Sequence, residues 1–374
     1  MNLNQSEIQV MKLIHQHNGI SRKALSDLSG LSQASITKIT KTLVEQQYIF
    51  EGERIGSGLG RKEILLYANP LKFRFMGVDI GGYRLRIAIS DNNLRITHQK
   101  EYLMEQFAEV PDVMEALLKQ IEQCLDDFRI DPDSLDAIGV GVTGIVDPQQ
   151  KQILNIPNLD RWNQIDIVAR LENRFGCPVY LDESGRTMAL AEKMIGKAKN
   201  TEDYIVVHIA YGIVAGIMIN GRLLRGANNV GGLLGHITAD ENAGRCLCGN
   251  YGCLENIVTF PMIQIEYQKR GGTAETLVEA YRQNDKTALD VCVEAGKAIG
   301  IALSNVVNLF NPHAIYLGGP VFDHLPLIFE ETKRTIILRA NRFATVGMQL
   351  EKSSFGNNQG IMGALSLASS SLIS

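Results

Sequence analysis

"FRFMGVDIGGYRLRIAISD", Phe73–Asp91, is the stretch from which the fold is read. An apolar run reaches Asp79, the pair Gly81–Gly82 follows, and a second apolar run begins. That order reads as strand, tight turn, strand. Glycines without side chains also let a backbone approach a phosphate closely, although a plain hairpin explains the same residues. The layout recurs along the chain. "AIGVGVTGIVD" (Ala137–Asp147) gives another apolar strand, then Thr143 and Gly144, then Asp147. "AIYLGGPV" (Ala314–Val321) gives a third, ending in Gly318–Gly319 after an apolar helix. Strands alternating with amphipathic helices make the class α/β. Repeated strand-to-glycine turns predict a nucleotide-type cleft between two lobes, here 71–184 and 185–374.

Composition supports a folded, multi-domain chain. Its 374 residues exceed one ordinary domain. With 45% hydrophobic and 21% charged residues it has the makings of a core. No run of about 18 apolar residues suggests a membrane span. The first residues lack the basic start, apolar centre and cleavage site of a signal peptide. A cytoplasmic location is therefore expected, where clustered cysteines are more often metal ligands than disulfides.

Residues 1–70 differ from the rest. They carry eight Lys/Arg against six Asp/Glu, whereas the remainder carries 29 against 35. Ile8, Met11 and Ile14 share one helical stripe, and Gly19 ends it. Ser21 then caps a short helix with Leu25 and Leu28 turned inward, stopped by Gly30. Ser32 caps a longer helix with Ile36, Ile39 and Leu43 on one face. A Gly-rich hairpin follows as a wing. This is the helix-turn-helix plan, whose second helix enters the major groove with its N-terminal residues leading. Ser32, Gln33, Ser35 and Thr37 can reach base edges; Lys38, Lys41 and, at the base of the wing, Arg61 can reach phosphates. A small helical interaction module would show a similar pattern.

Five ordered motifs then make the chain recognisable: "GVDIGG", "GVTGIVD", "IPNLDRW", "GHI…CLCGNYGCLE" and "NPHAIYLGGPV". Together they resemble the ROK family, named for its repressors, open reading frames and sugar kinases. The resemblance implies an actin-like, hexokinase-like body with two phosphate loops, Asp79, Gly81 and Gly82 in one and Thr143 and Gly144 in the other. It implies an adenosine-side strand at Gly318 and Gly319, and sugar contacts at Asn158, His236 and Glu255. The leading helix-turn-helix is similar to that of the family's sugar-responsive repressors.

The cysteines fit the family's zinc signature. His236, Cys246, Cys248 and Cys253 supply three thiolates and one imidazole, a closed tetrahedral shell of the structural type. Gly244, Gly249 and Gly252 ease the turns around the ion. Cys124, Cys177 and Cys292 are scattered and apolar-flanked, and read as buried thiols.

Three departures argue against catalysis. In the family, a base aspartate precedes a helix ending "ALAE"; anchoring on Ala189–Glu192 puts Ser184 in that place, with Glu183 beside it and Arg186 two residues on. A serine hydroxyl is no base near neutral pH. Asp182 could serve only after a two-residue slip. Leu233 stands where the family has a sugar-binding glutamate, and Tyr83 where a phosphate should pass. Arg186, near a vacated pocket, would favour a sugar phosphate or acid sugar.

The expectation is a DNA-binding regulator with structural Zn²⁺, an operator duplex as partner and a degenerate sugar-kinase-like effector body. It would work as a homodimer or tetramer, since paired heads match a palindromic operator. Two rivals remain: an active ATP-dependent sugar kinase carrying a DNA-binding head, and a ligand-blind regulator answering to a protein partner.

Overall fold

Local capping residues set out the first three helices, and the fold grows from them. In this computed structural model, residues 3–17, 19–55, 63–147, 149, 151–157 and 159–373 are described. Asn4 and Glu7 form a reciprocal capping box at the start of helix Gln5–Gln16. Ser21 Oγ accepts from the Ala24 N–H to start helix Arg22–Ser29, and Gly30, at φ 71°, ends it in the left-handed region. Ser32 Oγ accepts from the Ser35 N–H to start helix Gln33–Glu45. Val10, Met11, Ile14, Leu25, Ile36 and Leu43 close the head's core. Leu28 does not join them, being 55% exposed. The helix carrying it has only eight residues, so its last turn runs past the core. Strands Ile49–Ile55 and Glu63–Ala68 pair antiparallel as a wing, with Ile20–Ser21 added along the second.

The body holds two five-stranded sheets. In the first, the order is Val179–Glu183, Ala137–Val142, Phe75–Ile80, Arg84–Ser90, Ile96–Leu103. The first three are parallel, and the last two fold back as antiparallel neighbours. Strands Phe75–Ile80 and Ala137–Val142 are buried throughout, as parallel strands covered on both faces must be. The second sheet runs Arg222–Leu223, Ile213–Ile219, Tyr204–Ile209, Ala314–Gly318, Gln349–Lys352. The same parallel-plus-antiparallel logic therefore appears twice, as two lobes. Helix Lys286–Phe310 supports the second lobe beside helix Pro326–Arg339, to which Gly296 O is tied by Thr332 Oγ1 at 3.2 Å.

Two helices join the parts. Ser184–Met194 leaves the first sheet and packs on the second, where Gly185 lies against the Ala215 backbone. The closing helix, Gln359–Leu372, returns to the first sheet, so a cut at 184/185 does not separate the lobes cleanly. It comes so close to that sheet that a Cβ on Gly139 would stand 1.9 Å from Ala364 O. Only glycine allows that approach. The far end of this helix, with Phe73 and Phe75, shares one apolar core with the head. Asn92 Nδ2 adds a 2.9 Å bond to Asn69 O at the junction. Among the described residues, no helix is long and apolar enough to cross a membrane.

Candidate functional site: metal loop, cleft and reading face

The segment after the short turn Leu234–His236 is almost all loop. It is held by backbone bonds, among them Cys246 N–H to Asn250 O at 2.7 Å, and by bridges Thr238–Cys253 and Arg245–Tyr251. Gly252, at φ +73°, is what lets it close: a Cβ there would meet Asp240 O at 2.3 Å. The closure brings His236, Cys246, Cys248 and Cys253 together, with all four ligand atoms within 4.8 Å of one another. Cys246 Sγ lies 3.7 Å from His236 Nδ1, and Cys248 Sγ 3.6 Å from Cys253 Sγ. Zinc–sulfur bonds of about 2.3 Å at tetrahedral angles require edges of about 3.8 Å, so the donors fit a four-coordinate soft metal. Burial pushes the Cys253 thiol up; a bound cation would reverse that and hold it as thiolate.

The loop feeds directly into Leu254, fully buried, and Glu255, which opens the short helix Glu255–Val258. Glu255 Oε2 accepts from the Ile213 N–H at 3.2 Å. The metal loop is thus coupled, two residues on, to the first residue of a strand of the second sheet.

On the other side of that strand lies the floor of the cleft. Ser184 is fully buried, its Oγ 3.4 Å from Thr143 Oγ1. No carboxylate occupies the position itself. Asp182, also buried, is held by two guanidiniums: Arg186 Nε at 2.7 Å, and Arg225 through Nη2 at 2.6 Å and Nη1 at 3.2 Å. Arg186 is no surface arginine, being 2% exposed, and it also donates to Asn229 O at 3.1 Å. Its Nη2 is buried without a hydrogen-bond partner among the described residues. Glu183 accepts from the N–H groups of Gly185 and Arg186, capping helix Ser184–Met194, and burial raises its carboxyl to about 7. Neither acid is the solvated strand end that its position in sequence allows. Arg225, missed in the sequence, lies 43 residues from its partner. The signal for it was indirect: an acid in an apolar strand needs a cation from somewhere. Asn158 lies outside the described residues. Leu233 is 48% exposed.

Of the residues assigned to the phosphate loops and the adenosine-side strand, Asp79 and Gly318 meet at the start of the closing helix. Asp79 is buried, bonded to Arg86 Nη1 at 3.1 Å, and so close to Gly360 that a Cβ there would stand 2.3 Å from it. Burial raises the Asp79 carboxyl, against the lowering effect of Arg86. Gly318 faces Gln359, whose Oε1 also lies 2.8 Å from His208 Nδ1. Gly319, at φ +101°, lies against Ile209 O, and Gly144 against Asn155 O. Gly81 and Gly82 turn the first hairpin. Next to them, Tyr83 stacks flat on Tyr211 of the second lobe, with ring centroids 4.2 Å apart and planes 8° from parallel. The two rings bridge the two lobes.

Residues 75–371 match the ROK family, and residues 3–50 the MarR family. The chain belongs to the ROK family. It is 29% identical over 378 residues to the DNA-binding transcriptional dual regulator NagC of Escherichia coli K12, covering 97% of this chain and 92% of that protein. It is 28% identical over 362 residues to the xylose repressor of Bacillus subtilis, covering 96% and 93%. A solved ROK transcriptional regulator, described as a homologue of the E. coli MLC protein, superposes with a TM-score of 0.80 at 28% identity, covering 98% and 96%. A ROK glucokinase from Streptomyces griseus, solved with glucose and AMPPNP, superposes with a TM-score of 0.67 at 25% identity and covers 79% of this chain and 99% of its own.

The head of this ROK protein presents helix Gln33–Glu45 with Gln33, Ser35, Thr37, Lys38 and Lys41 exposed. Several of these are partly engaged. Ser32 and Ser35 share a 2.9 Å hydroxyl bond beside the cap, Thr37 Oγ1 donates to Gln33 O at 2.8 Å, and Lys41 lies 3.8 Å from Glu45. Gln33 and Lys38 are left with the freest side chains. Arg61 lies outside the described residues.

Proposed function

We infer that this protein is a DNA-binding transcriptional regulator, acting as a repressor of carbohydrate-metabolism genes in the cytoplasm. In this reading, its kinase-like body has become a sugar sensor. The observation that carries it is the fate of the base: Ser184 replaces the acid, Asp182 is neutralised by two arginines, and Glu183 accepts the Gly185 and Arg186 N–H groups at the start of its helix. With both acids engaged in this way, no free carboxylate is offered to take a proton. The Tyr83–Tyr211 stack adds a second obstacle, since it occupies the route of the phosphates. Relatives named as repressors, together with a MarR-like head, support regulation over catalysis.

The same residues suit binding. Arg186 Nη2 still wants an acceptor, and half-exposed Arg225 presents a guanidinium at the cleft. Both favour an acid or phosphorylated sugar. His236, Cys246, Cys248 and Cys253 would hold zinc, which would keep the loop closed and so fix Glu255 beside the sugar. Signal transfer has a physical route. Helix Ser184–Met194 has 11 residues and spans about 16 Å, from the cleft to the head junction. The closing helix runs parallel in purpose, from Asp79 and Gly318 at one end to the head core at the other. Ligand-driven closure would shift both helices, and with them the spacing of paired heads in a homodimer.

Gel shifts with operator-containing duplex, at stated salt, test the reading. Lys38→Ala should weaken binding to every duplex and reduce the salt slope by about 1, whereas Gln33→Ala should relax sequence preference. A coupled ADP-release assay across hexoses should stay flat; turnover above about 1 s⁻¹ would make the protein an enzyme.

A further inference from the structure

Where the head meets the body there is a cavity of about 450 Å³, outside the sugar cleft. The head supplies Lys12 and His15 from its first helix. The body supplies the turn Asn92–Arg95, Lys193 at the end of helix Ser184–Met194, Lys199, and Ser369 from the closing helix. The lining is one-sided in charge: four Lys/Arg, with no aspartate or glutamate; burial holds His15 down to about 4, so it adds no charge near neutral pH. None of the four cations makes an ion pair among the described residues; Lys193 Nζ donates only to Thr201 O at 2.9 Å. Like charges gathered without counter-charge repel one another and attract an anion. The wall also contains polar groups left unpaired. His15 Nε2, Asn92 Oδ1 and Ser369 Oγ are buried with no hydrogen-bond partner among the described residues. Such groups are costly unless something satisfies them. Asn92 Oδ1 can only accept, so its partner must bring a donor such as a hydroxyl.

We propose that this junction cavity is a second ligand site, taking a small phosphomonoester. The phosphate dianion answers the unpaired cations. The volume falls in the usual range for small-molecule sites. Because head and body both supply its walls, an occupant ties the head's orientation to the body. The inference rests on the cavity alone and holds whether or not the cleft binds sugar.

Isothermal titration on the full-length protein tests it, with glucose 6-phosphate as probe and glucose as the uncharged control. Glucose 6-phosphate should bind, and its affinity should fall at least tenfold in the double variant Arg95→Ser, Lys199→Ser. Both titrations are made in an Arg225→Ala background, which weakens any binding of the phosphorylated sugar in the cleft, so that the junction cavity is read alone. Should the double variant melt early, Lys12→Ser alone carries the same expectation in weaker form. No binding to the wild-type protein overturns the proposal. So does the absence of any remaining binding in the Arg225→Ala background, which would place all of the phosphate binding in the cleft. A DNA backbone offers the same chemistry, so non-specific duplex is titrated in parallel. Unchanged duplex affinity in the double variant supports a metabolite site, and a fall assigns these cations to DNA and overturns it.

Discussion

The metal loop and the cleft floor flank the same strand, Ile213–Ile219, yet they hold charge in opposite ways. The loop gathers four soft donors from His236 to Cys253 and leaves their compensation to a cation. The floor gathers Asp182, Glu183, Arg186 and Arg225 and compensates them internally. Glu255 ties the loop to that strand, and Gly185 seats the floor against it. The first arrangement is the kind a kinase and a regulator can share. In the reading proposed above, the second does not suit a kinase, because Asp182 is already paired with two arginines and Glu183 caps the helix that Ser184 begins. On that reading, sensing would differ from catalysis in the wiring of one side of the strand.

The largest effect is expected from the loop. Cys248→Ala leaves three donors for a four-coordinate ion and opens the shell. Losing a structural metal belongs among the mutations costing about 4 kcal/mol or more, so the melting temperature should drop steeply and bound zinc should fall together with it. Any effector response should vanish as well, since Glu255 loses its anchor. A melt and a zinc content both unchanged would show that the loop is held without metal, and the contrast with the floor would fail.

A smaller effect is expected on the floor, and its two arginines should differ. Arg186 is buried on Asp182, whereas the Arg225 side chain is 43% exposed. Arg186→Met strips a buried carboxylate of its enclosed partner, a change that typically costs about 3 kcal/mol. Arg225→Met removes a partner that water screens, and about 1 kcal/mol or less is expected. Urea denaturation of the two variants measures the difference. Equal losses would mean that the floor is one undivided network, and that Arg225 is as structural as Arg186.

The same contrast explains what could be read from the sequence. Ser21, Ser32 and Gly30 act within three or four residues, so the caps and stops of the head were legible. The four candidate metal donors were legible through the resemblance, which placed His236 with the three cysteines, and the fold brings all four together. Arg225 was not, since nothing near it in sequence indicates a carboxylate 43 residues away. The partner of Tyr83 was hidden for the same reason: Tyr211 meets it only once two lobes have folded and docked. Leu28 failed differently. Helical periodicity assigned it a face, but the core of the head does not extend to its turn of the helix. The return of helix Gln359–Leu372 to the first sheet depended on small residues at Gly139 and Gly77, whose role as contact surface shows only against their partner.

The subtlest test concerns pH. Glu183 caps helix Ser184–Met194, yet burial lifts its carboxyl from the ordinary 4.5 to about 7. Between those values the folded protein binds more protons than the unfolded chain, so stability falls as pH rises through this window. The contribution is fully present below about pH 4.5 and lost by about pH 7. Glu183→Gln keeps one acceptor for the helix cap and abolishes the titration. Its cost at pH 5 should be about 1 kcal/mol, as for a weakened cap, and the gap to wild type should close and then reverse as pH rises towards 7. The metal loop should respond with the opposite sign, because its thiols must lose protons to bind a cation and acid therefore weakens it. Stability curves of wild type, Glu183→Gln and Cys248→Ala across pH 5–7.5 separate the two trends. A Glu183→Gln curve parallel to wild type would mean that Arg186, a few ångströms away, already holds the carboxylate ionised, and the floor would then be as fully compensated at Glu183 as it is at Asp182.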